Sequence, residues 1–373
     1  MDGNACRTLG QDERLDWLRL IRTENVGPVT FRQLLRRFGS AAAAIAALPE
    51  LARRGGLGRA IAVPSRAQAE QELAATIAAG ARLLAAAEPD YPAALAALED
   101  SPPLLLIRGD TALFGRRMVG IVGARNASAA GIRIARDLAV ALGQAGIVVV
   151  SGLARGIDAA AHQGALKTGT VAIVAGGVDI VFPPEHEALQ AQIAESGVVA
   201  GEMPIGTRPL ARHFPRRNRL ISGLSLGVVV VEAALKSGSL ITARFALDQG
   251  REVMAVPGSP LDPRSRGSND LIRQGATLVE TVDDVLQALG PARNVLAANV
   301  PPFSPGAPAE APTHTELERL RRLIAERLSP TPVEVDELIR QAGAAPGGVL
   351  TVLLELELAG RLQRYPGGRV AIS

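Results

Sequence analysis

"RMVGIVGARNASAAGIRIARDLAVALGQAGIVVVSG", residues 117–152, sets the fold class. Two short apolar runs, Met118–Gly123 and Ile147–Gly152, flank a segment over 131–146 with apolar residues at three- and four-residue spacing. That spacing predicts strand, helix, strand. The strands are apolar almost throughout, as they must be when helices cover both faces of a parallel sheet. The alternation continues through "GIDAAAHQGALKTG", "TVAIVAGG", "SGVVAGE", "LGVVVVEA", "SLITARFALDQG" and "EVMAVPG", the last ending at Gly258. The expectation is an α/β fold with a Rossmann-like doubly wound parallel sheet over residues 104–290.

Outward from this core the texture changes. Residues 1–90 form a separate N-terminal domain in which 12 to about 88 read as helical, with "LDWLRLI" and "FRQLLRRF" carrying helical apolar spacing. Between them "NVGPVT", Asn25–Thr30, reads either as a helix-hairpin-helix (SAM-like) turn, whose amides can face a phosphate, or as an ordinary helical hairpin. Residues 291–312 are rich in Pro and Ala and read as a linker. Residues 313–373 hold three helical patterns and a closing "GRLQRYPGGRVAIS", the order of a winged helix. From Thr313 onward eight arginines balance eight acidic residues, which favours a protein partner over DNA for this module.

Composition bounds the function. Of 373 residues 47% are hydrophobic and 21% charged, which excludes disorder. The net charge of +3 is too small to indicate an anionic partner by itself, so local clustering has to carry that argument. One cysteine, Cys6, excludes an intrachain disulfide or a thiolate-rich metal cluster, and the four histidines lack metal-ligand spacing. No metal and no cofactor is expected. "MDGNACRTLGQDER" has no apolar core and no run of eighteen apolar residues occurs. The expectation is a cytoplasmic protein with no membrane partner.

Ligands of doubly wound sheets bind beyond the carboxyl ends of the strands. "MVGIVG" ends on Gly123 and is followed by Arg125 and Ser128, the serine placed to cap a helix whose amides could receive a phosphate. "IVVVSG" ends on Ser151 and Gly152 and is followed by Arg155, and after "VVVVEA" come Lys236, Gly238, Ser239 and Thr242. A fourth loop leads to "HFPRRNRLISG", residues 213–223, and no Asp or Glu lies between Thr207 and Val231. Arg212, Arg216, Arg217 and Arg219, with Asn218 among them and Arg208 upstream, suit a run of phosphates rather than one. Phe214 offers a face on which a base could stack. A helix turns about 100° per residue, so some of these arginines must face inward, bonding carbonyls or acids such as Glu232. Walker-type and complete G-x-G-x-x-G signatures are absent, and no Ser–His–Asp order can be drawn. Asp158 and Glu232 read as helix caps or arginine partners, and His162 and His213 as structural.

The runs "IVGARNASAAG", "VVVSGLARGIDAAAHQGAL", "TVAIVAGGVDIVFPPEH", "GEMPIGTRPLARHFPRRNRLISGLS" and "VVVVEAALKSGSLITARFALDQGREVMAVPGSP" resemble, in order, the DNA-processing protein DprA (Smf) family. The resemblance implies a non-enzymatic homodimer that binds single-stranded DNA, protects it and delivers it to the RecA recombinase during natural transformation. It implies that Arg125 is a DNA-contacting arginine of a Gly-Ser-Arg loop, here with Ala124 in the middle place. The lysine that the family often carries before its phenylalanine is replaced by Ala211, with Arg212 adjacent, and Pro184 stands where a basic residue is sometimes found. A competing reading is an enzyme, since "SGLARGID" and "VVVEAALKSGS" also resemble loops of Rossmann-like nucleotide phosphoribohydrolases. Against it, Glu232 precedes Gly238 rather than following a glycine-rich turn.

Overall fold

The structure, a computed structural model, describes residues 7–290, 314–365 and 367–372. Cys6 and the 291–312 segment lie outside the described residues. Two compact units result: one combines the N-terminal residues through Gln71 with the C-terminal segment, and the other begins at Glu72.

Four helices open the chain: α1 (Gln11–Arg22), α2 (Pro28–Phe38), α3 (Ala41–Arg54) and α4 (Arg66–Ala78). Pro28 takes the first position of α2, where its missing N–H costs nothing, and Gly39 ends the helix in the left-handed region. Trp17 of α1 meets Phe31 of α2 edge to face, with ring centroids 5.0 Å apart. The expected helical hairpin is therefore present.

The second unit contains β1 (Arg82–Ala85), α5 (Ala93–Ala96), β2 (Leu104–Gly109), β3 (Met118–Gly123), α6 (Ala129–Gln144), β4 (Val148–Ser151) and α7 (Ile157–Ala165). It continues through β5 (Thr170–Ile173), α8 (Glu187–Ser196), β6 (Val198–Gly201), α9 (His213–Leu224), β7 (Gly227–Val231), α10 (Gly238–Asp248), β8 (Glu252–Ala255), α11 (Arg266–Arg273), β9 (Thr277–Leu278) and α12 (Val282–Leu289). The nine strands lie in the order β1-β2-β6-β5-β4-β3-β7-β8-β9. From β6 to β9 all pairs are parallel. Val119 and Ile121 of β3 pack in one cluster with residues of α6 and α7. The alternate residue, Gly120, faces Ile221 of α9. Helices thus cover both faces, and the sheet is doubly wound. The order reverses between β3 and β7, which fixes the switch point where such sheets seat ligands.

One expectation is corrected. Residues 82–85, expected to be helical, form β1, paired antiparallel with β2. "RLLA" has no β-branched residue, so its own propensity favours a helix, and pairing with β2 overrides it.

The C-terminal segment contains α13 (His314–Arg327), β10 (Val333–Glu334), α14 (Val335–Ala342), α15 (Pro346–Leu358), β11 (Leu362–Tyr365) and β12 (Arg369–Ile372), a winged helix with strand order β10-β12-β11. The third helix of such a module is the one that enters a DNA groove in groove-reading proteins. Here α15 has no basic residue, and eight of its thirteen positions are buried. Its sides are used within the unit. Arg37 donates to Thr351 Oγ1 at 2.9 Å, Asn25 Nδ2 donates to the Leu358 carbonyl at 3.1 Å, and Arg321 grips Glu355 through two bonds. A Cβ added at Gly55 would lie 1.9 Å from the Glu355 carbonyl oxygen. Gly55→Val is accordingly expected to force α3 and α15 apart and to lower stability by about 1–3 kcal/mol in urea unfolding.

Candidate nucleic-acid interface

An open groove of about 510 Å³ lies at the switch point. From the end of β3 it receives Gly123 and Arg125, and from α9 Phe214, Arg217 and Asn218. From the start of α10 it receives Lys236, Gly238, Ser239 and Thr242. Nine residues singled out in the sequence thus converge. The strands end on one rim because a parallel sheet aligns their carboxyl ends, and the helices that follow start from that rim.

Charge and aromatic surface meet in this groove. Arg125 and Lys236 are exposed and form no ion pair among the described residues. The Arg125 guanidinium lies 5.3 Å over the Phe214 ring, and Phe182, about half exposed, packs against the same ring at 5.7 Å. Ser237 caps α10, its hydroxyl accepting from the Ser239 amide. Asn218 supports this turn by donating to the Gly238 carbonyl.

Helix α9 divides the arginine cluster as the geometry of a helix requires. Arg212 and Arg216 point to solvent. Arg217 and Arg219 are more than nine-tenths buried. Arg217 donates to the Ile173 carbonyl at 2.6 Å and fills the space beside Gly152, where a Cβ would sit 1.8 Å from its guanidinium. Burial lowers its pKa to about 10, with Asp158 opposing and Arg125 reinforcing the shift. Arg219 pairs with Glu202 and, at 3.7 Å, with Asp100; these acids, rather than Glu232, hold the inward-facing side.

Several expected contacts serve the fold instead of the groove. The Ser151 hydroxyl donates to the Ile121 carbonyl, and the Gly152 amide donates to the buried Asp158. Burial pushes the Asp158 carboxyl up, against the pull of Arg217 and the amides of Ala154 and Gly152. Arg155 is paired with Glu185. Ser128 does cap α6, accepting from the Gly131 amide, but its own amide and hydroxyl are donated to Glu232. The phosphate expected at that helix start is thus preceded by a carboxylate of the chain itself. His162 and His213 are buried, as read. Two contributors were missed. Phe182 follows β5 in "VFPPEH", and Arg264, bonded to Asp262, lines the groove from the loop after β8. The strand-end rule, carried to that last loop, would have found Arg264.

A doubly wound sheet with exposed cations and an aromatic pair at its switch point defines a Rossmann-like protein with a basic crevice. Residues 82–290 match the family described as DNA recombination-mediator protein A, residues 11–75 the DprA-like N-terminal HHH domain, and residues 307–368 the DprA winged helix domain. The chain belongs to the DprA (Smf) family. It is 40% identical over 285 residues to protein Smf of Escherichia coli, covering 76% of this chain and 75% of that one. It is 44% identical over 208 residues to the DNA processing protein DprA of Bacillus subtilis, covering 55% and 70%. The X-ray structure of DprA from Streptococcus pneumoniae superposes with a TM-score of 0.62 at 32% identity, covering 75% of this chain and 98% of that one. DNA processing protein A of Helicobacter pylori, whose structure is described as giving insights into its unique single-stranded DNA binding mode, gives 0.51 at 30% identity, covering 56% and 95%. No described helix is long and apolar enough to cross a membrane.

Proposed function

We propose that this chain is a recombination mediator that binds single-stranded DNA in the switch-point groove, without cutting it. The carrying observation is the meeting of exposed Arg125 and Lys236 with the Phe214–Phe182 pair at one strand-end crevice. Cations and helix-start amides take phosphates, and flat rings take bases of any identity. Gly123, Gly238, Ser239 and Thr242 let the backbone approach the strand, and Arg212 and Arg216 extend the basic surface. The protein acts as a cytoplasmic homodimer and hands the strand to RecA during natural transformation; family membership and the single-strand binding described for the Helicobacter relative support this part.

The test is a salt series with labelled oligonucleotides, single- and double-stranded, read by fluorescence anisotropy. Single strands are expected to bind more tightly at every salt concentration; equal or tighter duplex binding would reject the proposal. Phe214→Ala is expected to cost about 1–3 kcal/mol of affinity with little change in salt slope. Arg125→Ala is expected to flatten the log–log slope by about 0.7, one single-strand phosphate contact. A variant pair with wild-type curves would place the strand elsewhere.

A further inference from the structure

At the switch point β3 and β7 run side by side, with Gly123 level with Val231. The next residue after β7 is Glu232, which reaches across to the neighbouring loop. Its Oε2 accepts the Ser128 N–H at 2.9 Å and its Oε1 accepts the Ser128 hydroxyl. The carboxylate is pressed so closely on the first turn of α6 that a Cβ at Gly131 would lie 2.6 Å from Glu232 Cδ. Glu232 holds a φ of 54°, one of three non-glycine residues with positive φ among the described residues. That region is unfavourable for a side chain with Cβ and persists where the surroundings enforce it. The disfavoured backbone and the carboxylate's bonds to Ser128 thus coincide at one residue.

The loop between β3 and α6 carries Arg125. At its near end the Ala124 carbonyl accepts the Ile157 amide at 3.2 Å. Its far end is Ser128, held by Glu232. Arg125 and Asn126 between these two anchors are exposed. The path of the loop, and so the place of the Arg125 guanidinium over Phe214, depends on both anchors.

We propose, on the reading that the groove binds single-stranded DNA, that Glu232 is a positioning residue for Arg125. It clamps the β3–α6 loop to the end of β7, and its charge occupies the α6 N-terminus that a phosphate would otherwise approach. The strand's phosphates are met instead by Arg125, Lys236 and the start of α10. Glu232 touches no DNA itself and acts through Ser128.

The test uses the full chain with Glu232→Gly, which removes the carboxylate and suits the positive φ, and Glu232→Gln, which keeps an acceptor for the Ser128 amide. Anisotropy with a labelled oligothymidylate is measured for each, for Arg125→Ala and for the Glu232→Gly/Arg125→Ala double variant. Hydrogen exchange of the 124–131 amides is followed without DNA. Glu232→Gly is expected to match the affinity loss of Arg125→Ala within about threefold, with a comparable flattening of the salt slope, and the double variant to bind no more weakly than Arg125→Ala. Glu232→Gln recovers part of the affinity. The 124–131 amides exchange faster in Glu232→Gly. Losses that multiply in the double variant, or wild-type exchange and wild-type binding in Glu232→Gly, overturn the positioning role. Faster exchange in a protein whose wild type binds no single strands would leave the clamp standing and reject the DNA reading instead.

Discussion

Arg219→Ala is expected to lower the unfolding free energy by about 3 kcal/mol, while the single-strand binding proposed for the groove is unchanged. Arg219 lies in the arginine-rich helix, yet its side chain is about one-tenth exposed and ends on Glu202 and Asp100. Removing one partner of a buried pair leaves the other charge without compensation, a change that typically costs about 3–5 kcal/mol. The lower end applies because both acids keep some contact with water. Replacing Arg219 and both acids, with Arg219→Met, Glu202→Gln and Asp100→Asn together, should recover much of the loss, since neither acid is then left charged without its arginine. Urea unfolding and anisotropy on the same samples separate the two effects. A stable Arg219→Ala protein with weakened DNA binding would turn this residue into part of the interface.

The second large effect is a loss of stability in acid through His162. Thr170 donates its hydroxyl to the Val149 carbonyl, so it must accept from His162 Nδ1, which fixes the proton on Nδ1. Nε2 is buried with no hydrogen-bond partner among the described residues. Burial first, then the charges of Arg217 and His186, lowers the pKa to about 3. In the unfolded chain it returns to about 6.5. Below that value the unfolded state binds the extra proton and the folded state does not. The contribution is complete above pH 6.5 and declines as pH falls toward 3, by up to about 1.4 kcal/mol per unit, or about 2 kcal/mol by pH 5. Asp158, pushed up by burial, has the opposite sign, so the difference between wild type and His162→Gln isolates the histidine. Their stabilities should converge between pH 7 and pH 4. Parallel curves would mean that His162 takes up its proton in the folded protein.

The sheet from β3 to β8 was legible because each strand is a short apolar run between loops of small residues. β1 was not, since "RLLA" becomes a strand only by pairing with β2. In the site, the strand-end rule placed Arg125, Phe214, Lys236 and the start of α10 together, as the groove does. Composition alone could not sort Arg212 and Arg216 from Arg217 and Arg219, because the sorting depends on the phase of α9 against the sheet. Ser151 and Gly152 stand at the expected strand end, but their polar groups are used by Ile121 and Asp158. The Glu232–Ser128 bond spans 104 positions, and no local pattern announces it.

The burial of α15 has a consequence for synthesis of the chain. Asn25 and Leu358, bonded in the finished unit, are 333 positions apart. At a translation rate of about 5–20 residues per second, α3 waits on the order of tens of seconds for the helix that covers it. Through that interval its apolar side is available to chaperones or to other nascent chains. The first helices to leave the ribosome are thus among the last to reach their final packing, although the sheet between them can form in the meantime. Premature termination just before α15 would leave the sheet's own sequence intact and deprive the N-terminal helices of their cover.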